Sequence, residues 1–254
     1  MKLKKGLVIL IIALFAFVVT FSFFGIFSVK KIDATFAVSE NTSVEELQEK
    51  FDSLLNKNLL FLTEQEVYDC LKDNQYMEVV SVEKSFPNVI KVDVKERREI
   101  YYIQCGENYL VTTADGFVLR MTSADQVANR ERDKIVLKFD GVSLLDWSVG
   151  KFIKTDNDAL LSTVFQMAKS VNLTDCIEEI SVFAMGSESA DVTFSIYTGV
   201  DIVVHKVDDD GVEKVIEGFN AYDSQANDHE KMFKNIVVNK TKDGKIQVVW
   251  SEQK

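Results

Sequence analysis

From Gly6 to Phe27 the chain runs for 22 residues, GLVILIIALFAFVVTFSFFGIF, without a charged side chain. No other feature constrains the fold as strongly. As an α-helix rising about 1.5 Å per residue, this stretch covers the roughly 30 Å hydrocarbon core of a bilayer. Lys2, Lys4 and Lys5 precede it, and Lys30 and Lys31 follow. Positive charge on so short a head, residues 1–5, favours its retention in the cytoplasm. The bulk of the chain is then expected outside, as a single-pass protein. A cleaved signal peptide is the competing expectation, because Thr20 and Ser22 form a weak small-x-small site. The apolar run continues through Phe23, Phe24, Ile26 and Phe27, however, which is longer than most signal cores. Residues 6–27 are therefore read as a transmembrane anchor.

Charge is distributed unevenly. The five lysines of residues 1–31 have no acid among them, so the remainder holds 24 Lys+Arg against 40 Asp+Glu. So acidic a surface disfavours nucleic acid and anionic polymers as ligands. Cys70, Cys105 and Cys176 form neither a CxxC pair nor a metal-ligand spacing. An odd number excludes a complete disulfide framework, and buried free thiols are expected.

After the anchor, Val29–Phe36 reads as a short strand. In SENTSVEELQEKFDSLL, Ser43 with Glu46 has the spacing of a capping box, and Val44, Leu47, Phe51, Leu54 and Leu55 share a helical face. Thr63 with Glu66 repeats the start signal, followed by Val67, Cys70 and Leu71. Ile90, Val92 and Val94 then alternate with Lys91, Asp93 and Lys95, the period of a half-buried strand. Between strands 79–84 and 89–96 stands Pro87, the sole proline of the chain. With its φ restricted and no N–H to give, proline belongs where the ladder stops and the chain reverses. The order is strand, helix, helix, strand, strand, predicting two helices on a three-stranded sheet.

A single N-terminal span, a β-α-α-β-β module, the Lys84-Ser85-Phe86-Pro87 turn and a strand ending in Glu96-Arg97 together resemble the FtsQ/DivIB family of bacterial cell-division proteins. So does YLVTTADGFVL, with Asp115-Gly116 at a hairpin. The resemblance runs from about residue 7 to Trp250. Arg98-Glu99 stand where the family usually carries a proline. The resemblance implies an α+β fold: the transmembrane helix, a POTRA (polypeptide-transport-associated) domain over residues 28–97, the family's mixed α+β β domain over 98–250, and a short tail, 251–254. It also implies a non-catalytic divisome scaffold that acts at septum formation. Its implied partners are division proteins of the FtsB/DivIC and FtsL type, received near the end of the β domain.

Within residues 98–250, strands are expected at 100–104, 109–112, 117–121, 177–184, 191–197, 200–206, 235–239 and 245–250. Thr122–Asp133 is read as a loop or a surface turn of helix. Helical spacing marks Leu160, Leu161, Val164, Phe165, Ala168 and Val171, and again Val212, Val215, Ile216 and Phe219.

The chemistry-bearing patterns are incomplete. His205 and His229 are the two histidines, and neither has a second ligand at helical spacing. Gly186–Ser189, GSES, lacks the second glycine of a nucleophile elbow and reads as a turn. KVDDDGVEKVIE matches a calcium loop at Asp208, Asp210, Gly211 and Glu217, but Lys206 occupies the position of the first carboxylate. Three aspartates ahead of a helix also satisfy its N-terminal dipole. No catalytic, cofactor-binding or metal-binding residue is assigned, and no cofactor is expected. A module of this kind can instead take a partner's strand onto an open sheet edge. The candidate edges are 235–239 and 245–250, with Ile236, Val238, Ile246, Val248 and Trp250 as candidate partner-binding residues. An anchored extracytoplasmic ligand-binding or sensor protein is the alternative, although a five-residue head leaves no room for an output domain.

Overall fold

The first element, α1 (Lys2–Ile26), is apolar on all sides, and its described side chains between Ile9 and Val18 are exposed. A helix with no polar face needs apolar surroundings, and Ile9–Ile26 is long and apolar enough to cross a membrane. The structure is a computed structural model that describes residues 2–36, 44–171, 176–185, 189–224 and 234–252. The chain divides into two units, Met1–Arg97 and Arg98–Lys254.

In the first unit α1 is followed by β1 (Lys31–Phe36), α2 (Val44–Phe51), a 3-10 turn at Asp52–Leu54, α3 (Glu64–Tyr68), β2 (Met77–Ser85) and β3 (Val89–Glu96). The sheet order is β1-β3-β2, with β1 parallel and β2 antiparallel to the central β3. The period-two pattern of β3 is obeyed: Ile90, Val92 and Val94 are buried and Lys91, Asp93 and Lys95 are exposed. Leu47, Phe51, Leu54, Leu59 and Val67 cover the buried face. Phe86, Pro87 and Asn88 form the turn between β2 and β3.

The Thr63 cap closes as its spacing predicts. Glu66 N–H donates to Thr63 Oγ1 (3.3 Å) and Thr63 N–H donates to Glu66 Oε2 (2.9 Å). That Thr63 N–H, aided by Lys57 Nζ at 2.9 Å, pulls the Glu66 carboxyl down to about 2. Ser43, the other proposed cap, lies outside the described residues. Glu96-Arg97 ends the unit with a physical closure. The Arg97 Nη1 donates to the carbonyls of Gln75 (3.2 Å) and Met77 (2.7 Å), fastening the end of β3 to the start of β2.

The second unit contains β4 (Tyr101–Cys105), β5 (Asn108–Thr112), β6 (Val118–Ser123), α4 (Ala124–Ala128), β7 (Ile135–Asp140), β8 (Leu144–Asp146), β9 (Lys154–Thr155) and α5 (Asp158–Ser170). It continues through β10 (Ile177–Ala184), β11 (Ala190–Ile196), β12 (Asp201–Val207), α6 (Gly211–Ser224), β13 (Lys234–Lys240) and β14 (Ile246–Glu252). Nine strands form one sheet in the order β14-β13-β12-β11-β10-β7-β4-β5-β6, and β8 pairs with β9 separately. The GSES turn between β10 and β11 lies mostly outside the described residues, at 186–188.

The sequence patterns assign no element to β7, yet β7 joins the two halves of the sheet. It runs parallel to both β4 and β10. Ile135, Val136 and Leu137 are consecutive buried residues, as a strand covered on both faces requires. One face carries the main core with α5 and α6. Tyr102, Val111 and Val136 pack with Val127 of α4 on the other. Helix α6 comes close to the sheet because of Gly218. A Cβ there would meet Ile202 Cγ2 at 2.7 Å and Val238 Cγ2 at 3.0 Å.

Candidate partner-binding edge

Residues 234–252 form an antiparallel pair in which Ile236 faces Trp250, Val238 faces Val248 and Lys240 faces Ile246. The five candidate residues therefore share one sheet face, the face covered by α6 through Val215, Phe219 and Tyr222. Their exposure divides them. Ile236 and Val238 are fully buried, while Ile246, Val248 and Trp250 are half-buried against the same core. On the opposite face Val249 is 43% exposed.

The backbone makes a second division. β13 lies between β12 and β14, so the segment 235–239 is not an edge. This corrects one of the two edge assignments made from the sequence: a strand paired on both sides has no free ladder to offer. β14 is outermost, and among the described residues no strand pairs with its other side. The sheet's other limit, β6, is partly closed, since Val118 N–H donates to Lys151 O and Gly150 N–H donates to Val118 O, both at 2.9 Å. Ile236 and Val238 thus support the edge from beneath, while β14 presents it.

A buried cation ties this region together. Lys214 of α6 is 1% exposed, and its Nζ donates to the carbonyls of His205 (3.2 Å) and Lys206 (2.8 Å). It lies 2.7 Å from Asp210 Oδ1, while Lys240 Nζ at the end of β13 donates to Asp210 Oδ2 at 2.6 Å. Burial opposes ionisation of Asp210, but Asp208, Lys214 and Lys240 together outweigh it and hold the carboxyl well below the usual range. The same carboxylate raises the Lys240 ammonium. Both oxygens of Asp210, the central acid of the calcium-like loop, thus face ammonium groups. The role of Lys214 was not legible in the sequence, where it is one lysine on an amphipathic helix. The carbonyls at the end of β12 together with the Asp210 carboxylate make its burial favourable. His205 Nδ1 lies 2.6 Å from Asp191 Oδ2, and Lys206 N–H donates to Asp191 Oδ1 at 2.9 Å, which is a structural role at the β11–β12 ladder.

A membrane-length apolar helix entering a β-α-α-β-β module, with a separate large mixed sheet after it, defines a class of POTRA-bearing protein. Residues 28–97 match the family model described as POTRA domain, FtsQ-type. Residues 28–97 are thus an FtsQ-type POTRA domain, and the chain is similar to proteins of the FtsQ/DivIB family. It is similar to the cell division protein DivIB of Clostridium acetobutylicum, 28% identical over 168 residues, which is 66% of this chain and 63% of that protein. DivIB of Clostridium tetani is 26% identical over 190 residues, 74% of this chain and 66% of that one. The chain thus spans just under two thirds of the length of these relatives. Among solved structures, the major extracytoplasmic domain of the trans isomer of DivIB from Geobacillus stearothermophilus aligns with 50% of this chain and 88% of its own. That alignment has 13% identity and a TM-score of 0.30.

Proposed function

We propose that this chain is a cell-division protein that catalyses no reaction and serves as a divisome scaffold. In this reading α1 is a single membrane anchor with the N-terminus cytoplasmic, the remainder is extracytoplasmic, and the protein gathers at the division septum. It binds partner membrane proteins of the FtsB/DivIC and FtsL type by accepting a strand along β14. The observation that carries this is the position of β14, outermost in its sheet with one side unpaired among the described residues. An open ladder supplies backbone donors and acceptors for affinity, and the flanking side chains select the partner. Ile246, Val248 and Trp250 would shape one face of the added strand's environment and Val249 the other.

Neighbouring residues of a strand point their N–H groups to opposite sides. Of Val248→Pro and Val249→Pro, one removes a bond to β13 and the other removes an outward donor. The outward variant should keep its circular dichroism and thermal midpoint yet lose co-purification with the FtsB/DivIC- and FtsL-type partners from bacterial membranes. Full capture by that folded variant would reject β14 as the binding edge. Uniform envelope fluorescence of a tagged chain in dividing cells would reject the septal assignment.

A further inference from the structure

The end of α1 passes into the first unit without a spacer. Phe27 O accepts from Leu59 N–H at 2.7 Å, Val29 N–H donates to Lys57 O at 2.8 Å, and Asn56 N–H donates to Val29 O at 2.9 Å. Ser28 bridges to Asn58, Lys30 N–H donates to Asn88 O at 2.9 Å, and Val29 is fully buried. The helix exit is thereby stitched to two loops, the one before α3 and the β2–β3 turn.

Each of those loops carries one exposed phenylalanine. Phe61 is 67% and Phe86 57% exposed. The Phe61 ring lies 6.4 Å from that of Phe24, and the Phe86 ring lies 6.1 Å from that of Phe27, edge to face. Phe24 belongs to the last turn of α1, and Phe27 directly follows it. The two rings are therefore held level with the point where the helix ends and Lys30 and Lys31 begin. The support is firm: Phe61 and Leu62 N–H both donate to Asn58 O, at 3.2 and 3.0 Å, and Leu60 N–H donates to Asn58 Oδ1 at 3.0 Å. The strand register agrees, because β1 and β3 begin, and β2 ends, at this same end of the sheet.

We infer that Phe61 and Phe86 are a second membrane contact: they insert into the headgroup–acyl boundary around the exit of α1 and seat the first unit on the bilayer surface. Apolar rings at that depth meet acyl chains rather than water, as on the buried side of interfacial helices. An exposed apolar patch continuous with a membrane-spanning helix is thus covered by lipid. The inference rests on the reading of α1 as an anchor, and its test separates the two.

The full chain is reconstituted in phosphatidylcholine vesicles with a tryptophan introduced in turn at Phe24, Phe61, Phe86 and Val80. The last is an exposed position about 20 Å along β2 from Phe86 at about 3.3 Å per residue. Emission of the parent chain, from Trp147 and Trp250, is subtracted. Phosphatidylcholine brominated in the upper acyl chain should quench F24W, F61W and F86W each roughly twofold or more beyond V80W. Quenching of F24W with F61W and F86W behaving like V80W overturns the inference alone, and leaves the patch to a protein partner. An unquenched F24W overturns the anchor and the inference with it.

Discussion

The two units bury their cores by different means. The first closes a three-stranded sheet with apolar side chains only, and its polar devices, the Thr63 cap and the Arg97 closure, lie at the surface or rim. The second, built on a nine-stranded sheet, keeps an ammonium inside. Lys214 links α6 to the ends of β12 and β13 through two carbonyls and Asp210. A small module can rely on side-chain patterning within a short stretch of chain. A long sheet assembled from distant segments also needs directional bonds where its strands end.

Four perturbations test that contrast. The largest effect is expected in the first unit. Phe51 is fully buried, and Phe51→Ala should cost about 3–5 kcal/mol. Hydrogen exchange should show the loss of protection confined to β1–β3 and α2–α3. If β12 and β13 lose protection equally, the two units do not have separate cores. In the second unit, Lys214→Met keeps the aliphatic stem and removes the donor. Lys240 still neutralises Asp210, so the expected cost is about 1–3 kcal/mol for the carbonyls left without it. Its exchange signature should centre on β12, β13 and α6. A neutral result would show that the ammonium is replaceable by packing.

Gly218→Ala adds a methyl where 2.7 Å separates it from Ile202, and should destabilise by about 1–3 kcal/mol by pushing α6 outward. Denaturant unfolding measures this, and the loss should shrink in an Ile202→Leu background, which lacks the Cγ2 methyl, if that contact is the cause. The smallest effect belongs to the first unit's surface. Thr63→Ala should cost about 1 kcal/mol through the lost cap. It should leave the acid limb of the stability curve nearly unchanged, because the Thr63 backbone N–H that lowers Glu66 most survives the substitution. Glu66 ionises at about 2 when folded against 4.5 ordinarily, so its contribution is complete above the higher value and vanishes as pH falls through the lower. A Thr63→Ala chain with a flattened acid limb would show that the hydroxyl, not the backbone N–H and Lys57, sets the Glu66 carboxyl.

Much of the first unit was legible because its signals are local. The Thr63–Glu66 spacing, the alternation in β3 and the turn at Pro87 each act within a few residues. The second unit was legible strand by strand but not as a sheet. Thr122–Asp133, read as a loop or a turn of helix, contains the short α4. β7 escaped because a strand buried on both faces has no alternation to detect. Of the candidate edge, the two strands were visible from their valines, but which was outermost was not. Exposed Phe61 and Phe86 gave no signal at all, since nothing in either loop marks its nearness to residues 24–27.

What the sequence determined alone is whatever depends on the chain's own period and polarity: an apolar helix of membrane length, the order of elements after it, and the caps and turns that bound them. The tertiary structure decided which strand is left open, which lysine goes inside and which phenylalanines stand beside the helix exit. Each of these depends on partners brought from far along the chain by strand pairing, and residue spacing carries no record of which distant segments meet.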